Sequence, residues 1–385
     1  MSLRPGTTRT RVALTSLALA PALLLAACGG SSGGGGSTST GSGGSAAAGG
    51  SSAGAGGGTS TGKKVGVSLI VKTTTNPYFV TMINDAKQAA SQNNVNLTVA
   101  AGKQDGDTAS QINAIQNAIS RGDKGILITT NGDAVNAALR QAKAAGIYII
   151  ALDTALNPAN TADITFATDN EQAGKLIGQY GAAKLKGQKA VIAMLDLFNN
   201  QVVSVDIQRD HGFLEGMGID PGSKTLNGKE AKTGNYSGGQ YEIACHQPTQ
   251  GAIDGGRSAM ENCLSSNPNI NVVYTINEPA AQGAYNALKA AGKDKNVTIL
   301  TIDGSCKYIK LVDQGLFAAD SAQYPGKMAS LGVDAIAKLA NGGAKPTTSA
   351  GLSFFNTGTN LIAKSPLSGV TSETPADATK DCWGS

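Results

Sequence analysis

Val65-Gly66-Val67-Ser68-Leu69-Ile70-Val71, then Pro77-Tyr78-Phe79-Val80 opening a stretch that runs to Asn93, then Val95-Asn96-Leu97-Thr98-Val99-Ala100-Ala101: these three segments decide the fold class. The outer two are short apolar runs, the form taken by strands buried on both faces. The middle one has helical length and a proline in its first turn, where a missing N–H costs nothing.

The alternation continues. Strands are expected at Gly125–Thr129, Ile147–Leu152, Ile164–Thr168, Ala190–Leu195, Val272–Ile276 and Val297–Ile302. Helices are expected at Thr108–Arg121, with Ile112, Ile115 and Ile119 on one face, and at Ala134–Ala145, Ala173–Leu185, Ser204–Gly216, Gly255–Ser265, Pro279–Ala291, Tyr308–Gln314 and Lys327–Leu339. Strands alternating with helices form parallel sheets covered on both faces. The roughly 320 residues from Lys63 onward suit two domains better than one. The predicted class is therefore α/β, with two doubly wound parallel-sheet lobes, and ligands in such folds bind beyond the carboxyl ends of the strands.

Polar residues gather at those ends. Lys72 and Asn76 follow the first strand, Asp153 follows Ile149-Ile150-Ala151-Leu152, and Thr168-Asp169-Asn170 follow Ile164–Ala167. Asn277-Glu278 and Asp303 close two later strands. A single acid at such a position is ordinarily a helix cap or loop residue; several at one edge point to a site. Carboxylates accept from pairs of hydroxyls, amides both donate and accept, and Arg209 adds a planar donor fork. Tyr78 and Phe79 supply aromatic faces for the apolar side of a ring. This chemistry fits a neutral polyol, because Asp153 and Asp303 oppose an anionic ligand; Lys72 is the exception and is expected to pair with one of the acids.

Residues 1–28 read as an export signal: Arg4, Arg9 and Arg11, then an apolar run from Val12 to Ala27 that is too short to span a bilayer. The run ends in Leu25-Ala26-Ala27-Cys28, which looks like a bacterial lipobox with Cys28 as the acylated residue. Residues 29–62 are almost wholly Gly, Ser, Ala and Thr, the composition of a disordered tether. Gly57–Lys64 has the spacing of a phosphate loop but carries Lys64 where Ser or Thr is required, and no strand precedes it. The chain is thus expected to be exported, held to the outer face of the cytoplasmic membrane by lipid. With Cys28 assigned, Cys245, Cys263, Cys306 and Cys382 remain for an oxidising compartment. Four cysteines allow three pairings; the favoured one joins Cys245 to Cys263 and Cys306 to Cys382. A cysteine zinc site is disfavoured, with no Cys-x-x-Cys and only His211 and His246 at hand.

Nucleic acid is not an expected partner: the formal charge of +4 is small and spread out, with no basic block interleaved with aromatics. Catalysis is not expected either. No Gly-x-Ser-x-Gly elbow, no Gly-x-Gly-x-x-Gly after a strand and no His-Glu-x-x-His occurs. His211 is expected on a helix surface. Cys245 and His246 would point to opposite faces of a strand and form no dyad. Asp153 and Asp303 as a glycosidase pair form the weak rival. No cofactor and no metal are expected.

Several motifs in order resemble the ribose/galactose-type solute-binding proteins of ABC importers, the type 1 periplasmic-binding-protein fold: Thr75-Asn76-Pro77-Tyr78-Phe79-Val80, Ala151-Leu152-Asp153-Thr154, Ala167-Thr168-Asp169-Asn170, Arg209 before Gly212-Phe213, and Ile299–Gly304. Lys72–Pro77, Gly102–Asp107, Tyr274–Ala281, Gln323-Tyr324-Pro325 and Cys382-Trp383-Gly384 are most similar to fructose-binding members. The resemblance implies a non-enzymatic monosaccharide binder, a monomer, delivering sugar to the membrane permease; a sensor-presenting role would use the same fold. It implies a ligand set of Asn76, Tyr78 or Phe79, Asp153, Thr168 or Asn170, Arg209, Asn277, Asp303 and Gln323. It also implies two lobes, 63–168 plus 324–352 and 169–323 plus 353–385, joined by three crossover strands and closing by hinge motion. Thr154, Ile302 and the lack of an aromatic near Gln250-Gly251 depart from ribose binders and favour another sugar, with fructose expected.

Overall fold

The computed structural model describes residues 64–384. The export signal, Cys28 and the tether over 29–62 lie outside the described residues. The first sheet is built from β1 (Val65–Val71), β2 (Val95–Ala101), β3 (Gly125–Ile128), β4 (Tyr148–Leu152) and β5 (Ile164–Ala167), with α1 (Pro77–Gln92), α2 (Thr108–Arg121) and α3 (Asn136–Ala144) between them. The chain then passes through α4 (Asn170–Leu185), β6 (Ala190–Asp196), α5 (Ser204–Met217), β7 (Thr233–Tyr236), β8 (Gly239–Pro248), α6 (Ile253–Ser266), β9 (Val272–Thr275), α7 (Glu278–Ala290), β10 (Thr298–Asp303), α8 (Cys306–Asp313) and β11 (Ala319–Ala322). It finishes with α9 (Pro325–Ala340), β12 (Phe355–Asn356), β13 (Asn360–Ile362) and the short α10 (Pro375–Ala378).

The sheets run β12-β5-β4-β3-β1-β2 and β13-β11-β10-β9-β6-β8-β7. All pairings are parallel except β7 with β8 and β11 with β13. Each sheet thus has a first strand, β1 or β6, with its successors diverging to either side, the arrangement that opens a crevice at the carboxyl ends. The pleat sorts the core. Val67, Leu69 and Val71 face Met82, Ile83 and Ala86 of α1 and Val333 and Ile336 of α9, while Ile70 faces Ile115 of α2 and Leu139 of α3. Ile192 and Met194 likewise meet α4 and α5, and Val191, Ala193 and Leu195 meet α6 and α7.

The chain crosses between lobes after β5, after β11 and between β12 and β13. This moves one expected boundary: Phe355 and Asn356 pair with Phe166 and Ala167 of the first sheet, so the last crossing follows residue 356 rather than 352. The C-terminus also serves both lobes. The Trp383 ring packs edge-on against Tyr78, and its Nε1 donates to the carbonyls of Asp303 and Gln323 at 3.1 and 2.8 Å. Disulfides join Cys245 to Cys263 and Cys306 to Cys382. The second closes a loop of 76 residues and tethers Trp383 in place.

Strands β7, β8, β11, β12 and β13 escaped the sequence reading. Strand β8 carries Gln240, Glu242, His246 and Gln247 and is half-exposed, so it lacks an apolar run. Strand β11 is Ala-Asp-Ser-Ala and is held by parallel pairing to β10 rather than by propensity. His211 is not on a surface: α5 is buried on most sides, and the imidazole is 7% exposed with Nε2 3.2 Å from the Leu226 carbonyl.

Helices α4 and α5 cross at backbone distance through Gly174, Gly178, Gly212 and Gly216. A Cβ on Gly212 would overlap the carbonyl oxygen of Glu171, and one on Gly174 that of Arg209. Close approach is therefore what these four glycines provide, and it aligns Arg209 with the start of α4. Gly212→Ala is expected to force the helices apart and cost about 2–3 kcal/mol. Urea unfolding reads this directly; an unchanged midpoint would show that the crossing relaxes freely.

Candidate ligand-binding site

The cleft between the two sets of strand ends is lined by Lys72, Asn76, Tyr78, Phe79, Asp153, Arg209, Asn277, Asp303 and Gln323 from the expected set. Both asparagines start helices. Asn76 Oδ1 accepts from the Tyr78 N–H at 2.9 Å, which caps α1 and turns Tyr78 and Phe79 inward. Asn277 Oδ1 accepts from the Ala280 N–H at 3.1 Å to cap α7, and its Nδ2 donates to the Gly251 carbonyl at 3.1 Å.

Asp153 leaves β4 with φ of +63° and its N–H bonded to the Phe166 carbonyl. A left-handed conformation costs energy even for aspartate, and such strain collects where a side chain must be aimed. Its carboxylate accepts from Thr154 Oγ1 at 2.9 Å and faces the Tyr78 hydroxyl at 2.9 Å. Lys72 Nζ donates to Thr154 Oγ1 at 3.0 Å and stands 3.9 Å from Asp153 Oδ2, the acid pairing expected for this lysine.

Arg209 comes from α5 of the other lobe. Its Nε donates to Asn170 Oδ1 at 2.8 Å and its Nη1 to the Ile276 carbonyl at 2.9 Å. The same guanidinium stands between two acids, with Nη1 3.7 Å from Asp303 and Nη2 3.9 Å from Asp153. Those separations exceed hydrogen-bond length, so the charges attract without consuming each other's donors and acceptors. Nη2 has no hydrogen-bond partner among the described residues. Gln323, at the crossing after β11, ties the halves together: its Nε2 donates to Asp303 Oδ1 at 2.6 Å, and its Oε1 lies 3.1 Å from the Tyr78 hydroxyl.

Two expected ligand positions fall elsewhere. Thr168 Oγ1 donates to the Gly358 carbonyl at 3.3 Å, within the hinge. Asn170 does not line the cleft; it orients Arg209 from behind and donates to the Thr168 carbonyl. The sequence reading also missed lining residues. Phe198 and Leu197 follow β6, where the strand-end rule applied equally well, and Phe198 brings an aromatic from the second lobe. Asp105 enters on the loop after β2, with Oδ1 buried and lacking a hydrogen-bond partner among the described residues. Gly251, at φ +64°, faces Asn277 and Leu197, which a side chain there would meet.

Asp303 belongs to a buried group of three acids with Glu278 and Asp320. Burial raises all three; Asp303 is pushed up to about 7, with Arg209 opposing and Asp320 adding to the shift. A folded-state pKa above the unfolded value means that the native state holds protons that the unfolded chain has released. This contribution is full below about pH 4 and is lost as pH rises through about 7. Relative to Asp303→Asn, the parent is expected to lose stability over that window by about 1 kcal/mol per unit. Urea titrations at pH 4.5, 6 and 7.5 check this; parallel curves for the two proteins would contradict it.

Residues 67–344 match the family model described as periplasmic binding protein domain, and the chain belongs to that family. It is of the ribose/galactose type, a solute-binding protein and not an enzyme. The ribose import binding protein of Escherichia coli K12 is 28% identical over 277 residues, covering 72% of this chain and 85% of that one. The D-apiose import binding protein of Actinobacillus succinogenes is 31% identical over 241 residues, covering 62% and 70%. Among solved structures, an ABC transporter periplasmic solute binding protein from Actinobacillus succinogenes with bound D-allose superposes with a TM-score of 0.66 at 25% identity, covering 78% of this chain and 98% of that one.

Proposed function

We propose that this chain captures a single neutral monosaccharide between its lobes and presents it to the membrane subunits of an ABC importer, tethered to the outer face of the membrane by lipid on Cys28. One observation carries the reading: Asp153, Arg209 and Asp303 alternate acceptor, donor and acceptor at 3.7 and 3.9 Å. Sugar hydroxyls donate and accept at once, so they complete such a set in a way that a simple anion or cation does not. Phe79 and Phe198, one from each lobe, offer apolar faces to the ring. The names of the relatives, which bind ribose, apiose and allose, support the class.

Within this role Asp153, Arg209, Asp303, Gln323 and Asp105 bind hydroxyls, while Lys72, Asn76, Tyr78 and Asn277 hold the walls. In this role the sugar enters as the lobes part at the three crossings, and closing over the ring excludes water and completes the hydrogen bonds. D-fructose is the proposed ligand, on the likeness of Lys72–Pro77, Tyr274–Ala281 and Cys382–Gly384 to fructose binders.

Calorimetric titration of the chain with fructose, ribose, xylose and galactose tests this. Saturable heat with fructose and no product is the expected result. Heat with another sugar alone would keep the class and displace fructose; silence across the panel would overturn the reading.

A further inference from the structure

The second lobe holds a separate cluster that the sugar cleft does not use. Asp196 at the end of β6, Asp210 on α5 and His246 on β8 bring one ligand atom each within 4.8 Å of one another. His246 Nδ1 is 2.7 Å from Asp196 Oδ2, and its Nε2 is 2.6 Å from Glu230 Oε1. Asp210 is fully buried, and neither of its carboxylate oxygens has a hydrogen-bond partner among the described residues. Asp196 Oδ1 and Glu230 Oε2 are buried and unpartnered in the same way. An unpaired buried carboxylate is costly, and these face one another.

His246, donating from both ring nitrogens to Asp196 and Glu230, supplies one positive charge, and among the described residues no ion pair reaches Asp210. Asp206, one turn before Asp210, uses its carboxylate to accept the N–H groups of Leu197 and Phe198. Arg209 turns the other way, into the sugar cleft. Asp196 and Glu230 flank the imidazole, and Asp210 completes the group. Nε2–H donation to Glu230 fixes the ring with Nδ1 toward Asp196 and Asp210, the way a carboxylate orients a metal-bound histidine, and a bound cation would displace the Nδ1 proton now shared with Asp196 Oδ2 at 2.7 Å. A side groove of about 530 Å³, lined by Asp196, His246, Asn227 and Lys229, leads to the cluster.

We propose that Asp196, Asp210 and His246 form a divalent-cation site, oriented by Glu230 and separate from the sugar cleft. One imidazole nitrogen with two carboxylates suits Zn²⁺, which takes mixed nitrogen and oxygen ligands in four-coordinate geometry. Ca²⁺ is a poorer fit, since it requires six to eight oxygens. The three residues lie 14 and 36 positions apart in sequence and meet only through the pairing of β6 with β8 and the packing of α5.

The test is titration of the full, disulfide-intact chain, stripped with EDTA, with ZnCl₂ and separately with CaCl₂. Uptake of one Zn²⁺ per chain is expected, with affinity at least tenfold weaker in Asp210→Asn and in His246→Gln and no comparable uptake of Ca²⁺. Thermal unfolding in EDTA confirms that each variant folds, and Asp210→Asn is expected to melt no lower than the parent because it removes a like charge. Zn²⁺ should raise the melting temperature of the parent and not of the variants. Failure of the parent to take up Zn²⁺, or uptake unchanged in both variants, would overturn the site and leave protons shared among the carboxylates as the neutralising charge.

Discussion

Arg209→Ala is expected to weaken sugar binding by about 3–5 kcal/mol, a loss of two to three or more orders of magnitude in affinity. The residue is 4% exposed and holds apart two acids from different parts of the fold. Removing it leaves Asp153 and Asp303 as neighbouring buried carboxylates with Glu278 and Asp320 behind, and strips donors from Asn170 and the Ile276 carbonyl. The donor Nη2 offers to the ligand disappears as well. Arg209→Lys is not expected to rescue, because a point-charge ammonium cannot serve Asn170, the Ile276 carbonyl and a hydroxyl through one planar fork. Calorimetry on both variants decides; affinity within twofold of the parent would remove Arg209 from the site.

Asp153→Ala carries the second large effect, about 2–4 kcal/mol, from loss of an acceptor for the ligand and of the partner charge for Lys72 and Arg209. The Tyr78 hydroxyl, whose pKa is raised mainly by burial and further by Asp153, keeps Gln323 as an alternative acceptor. The loss should therefore appear in affinity more than in stability. Removing a side chain from a residue at φ +63° leaves the backbone strain in place, so Asp153→Gly serves as a control that relaxes it. Both variants are expected to bind weakly. Recovery of affinity in Asp153→Gly would mean that backbone geometry, and not the carboxylate, matters.

The parallel strands were legible because burial on both faces forces continuous Val, Ile and Leu runs, as in Val65–Val71 and Ala190–Leu195. Helix starts at Asn76-Pro77 and Asn277-Glu278-Pro279 were legible for the same local reason that makes them caps. Illegible elements owe their form to neighbours. Strand β8 is half-exposed, β11 lacks β-branched residues, and β12 and β13 are two and three residues long. In the site, residues on strand ends could be named because topology places them. Asp105 could not, since its approach depends on the loop held by Asn131, whose Nδ2 reaches the Lys72 carbonyl and whose Oδ1 accepts from the Gly106 N–H. Asn170, the first residue of α4, accepts from Arg209 Nε, a contact between distant helices that sequence spacing does not resolve.

The proposed role requires a sugar seated between Asp153, Arg209 and Asp303. A crystal structure of the chain grown with the sugar that gives saturable heat measures this most directly. The predicted result is a ring within the interlobe cleft, with hydroxyl oxygens within about 3.2 Å of both carboxylates and of Arg209 Nη2. A sugar bound on another surface, with those three side chains contacting none of its oxygens, would contradict it.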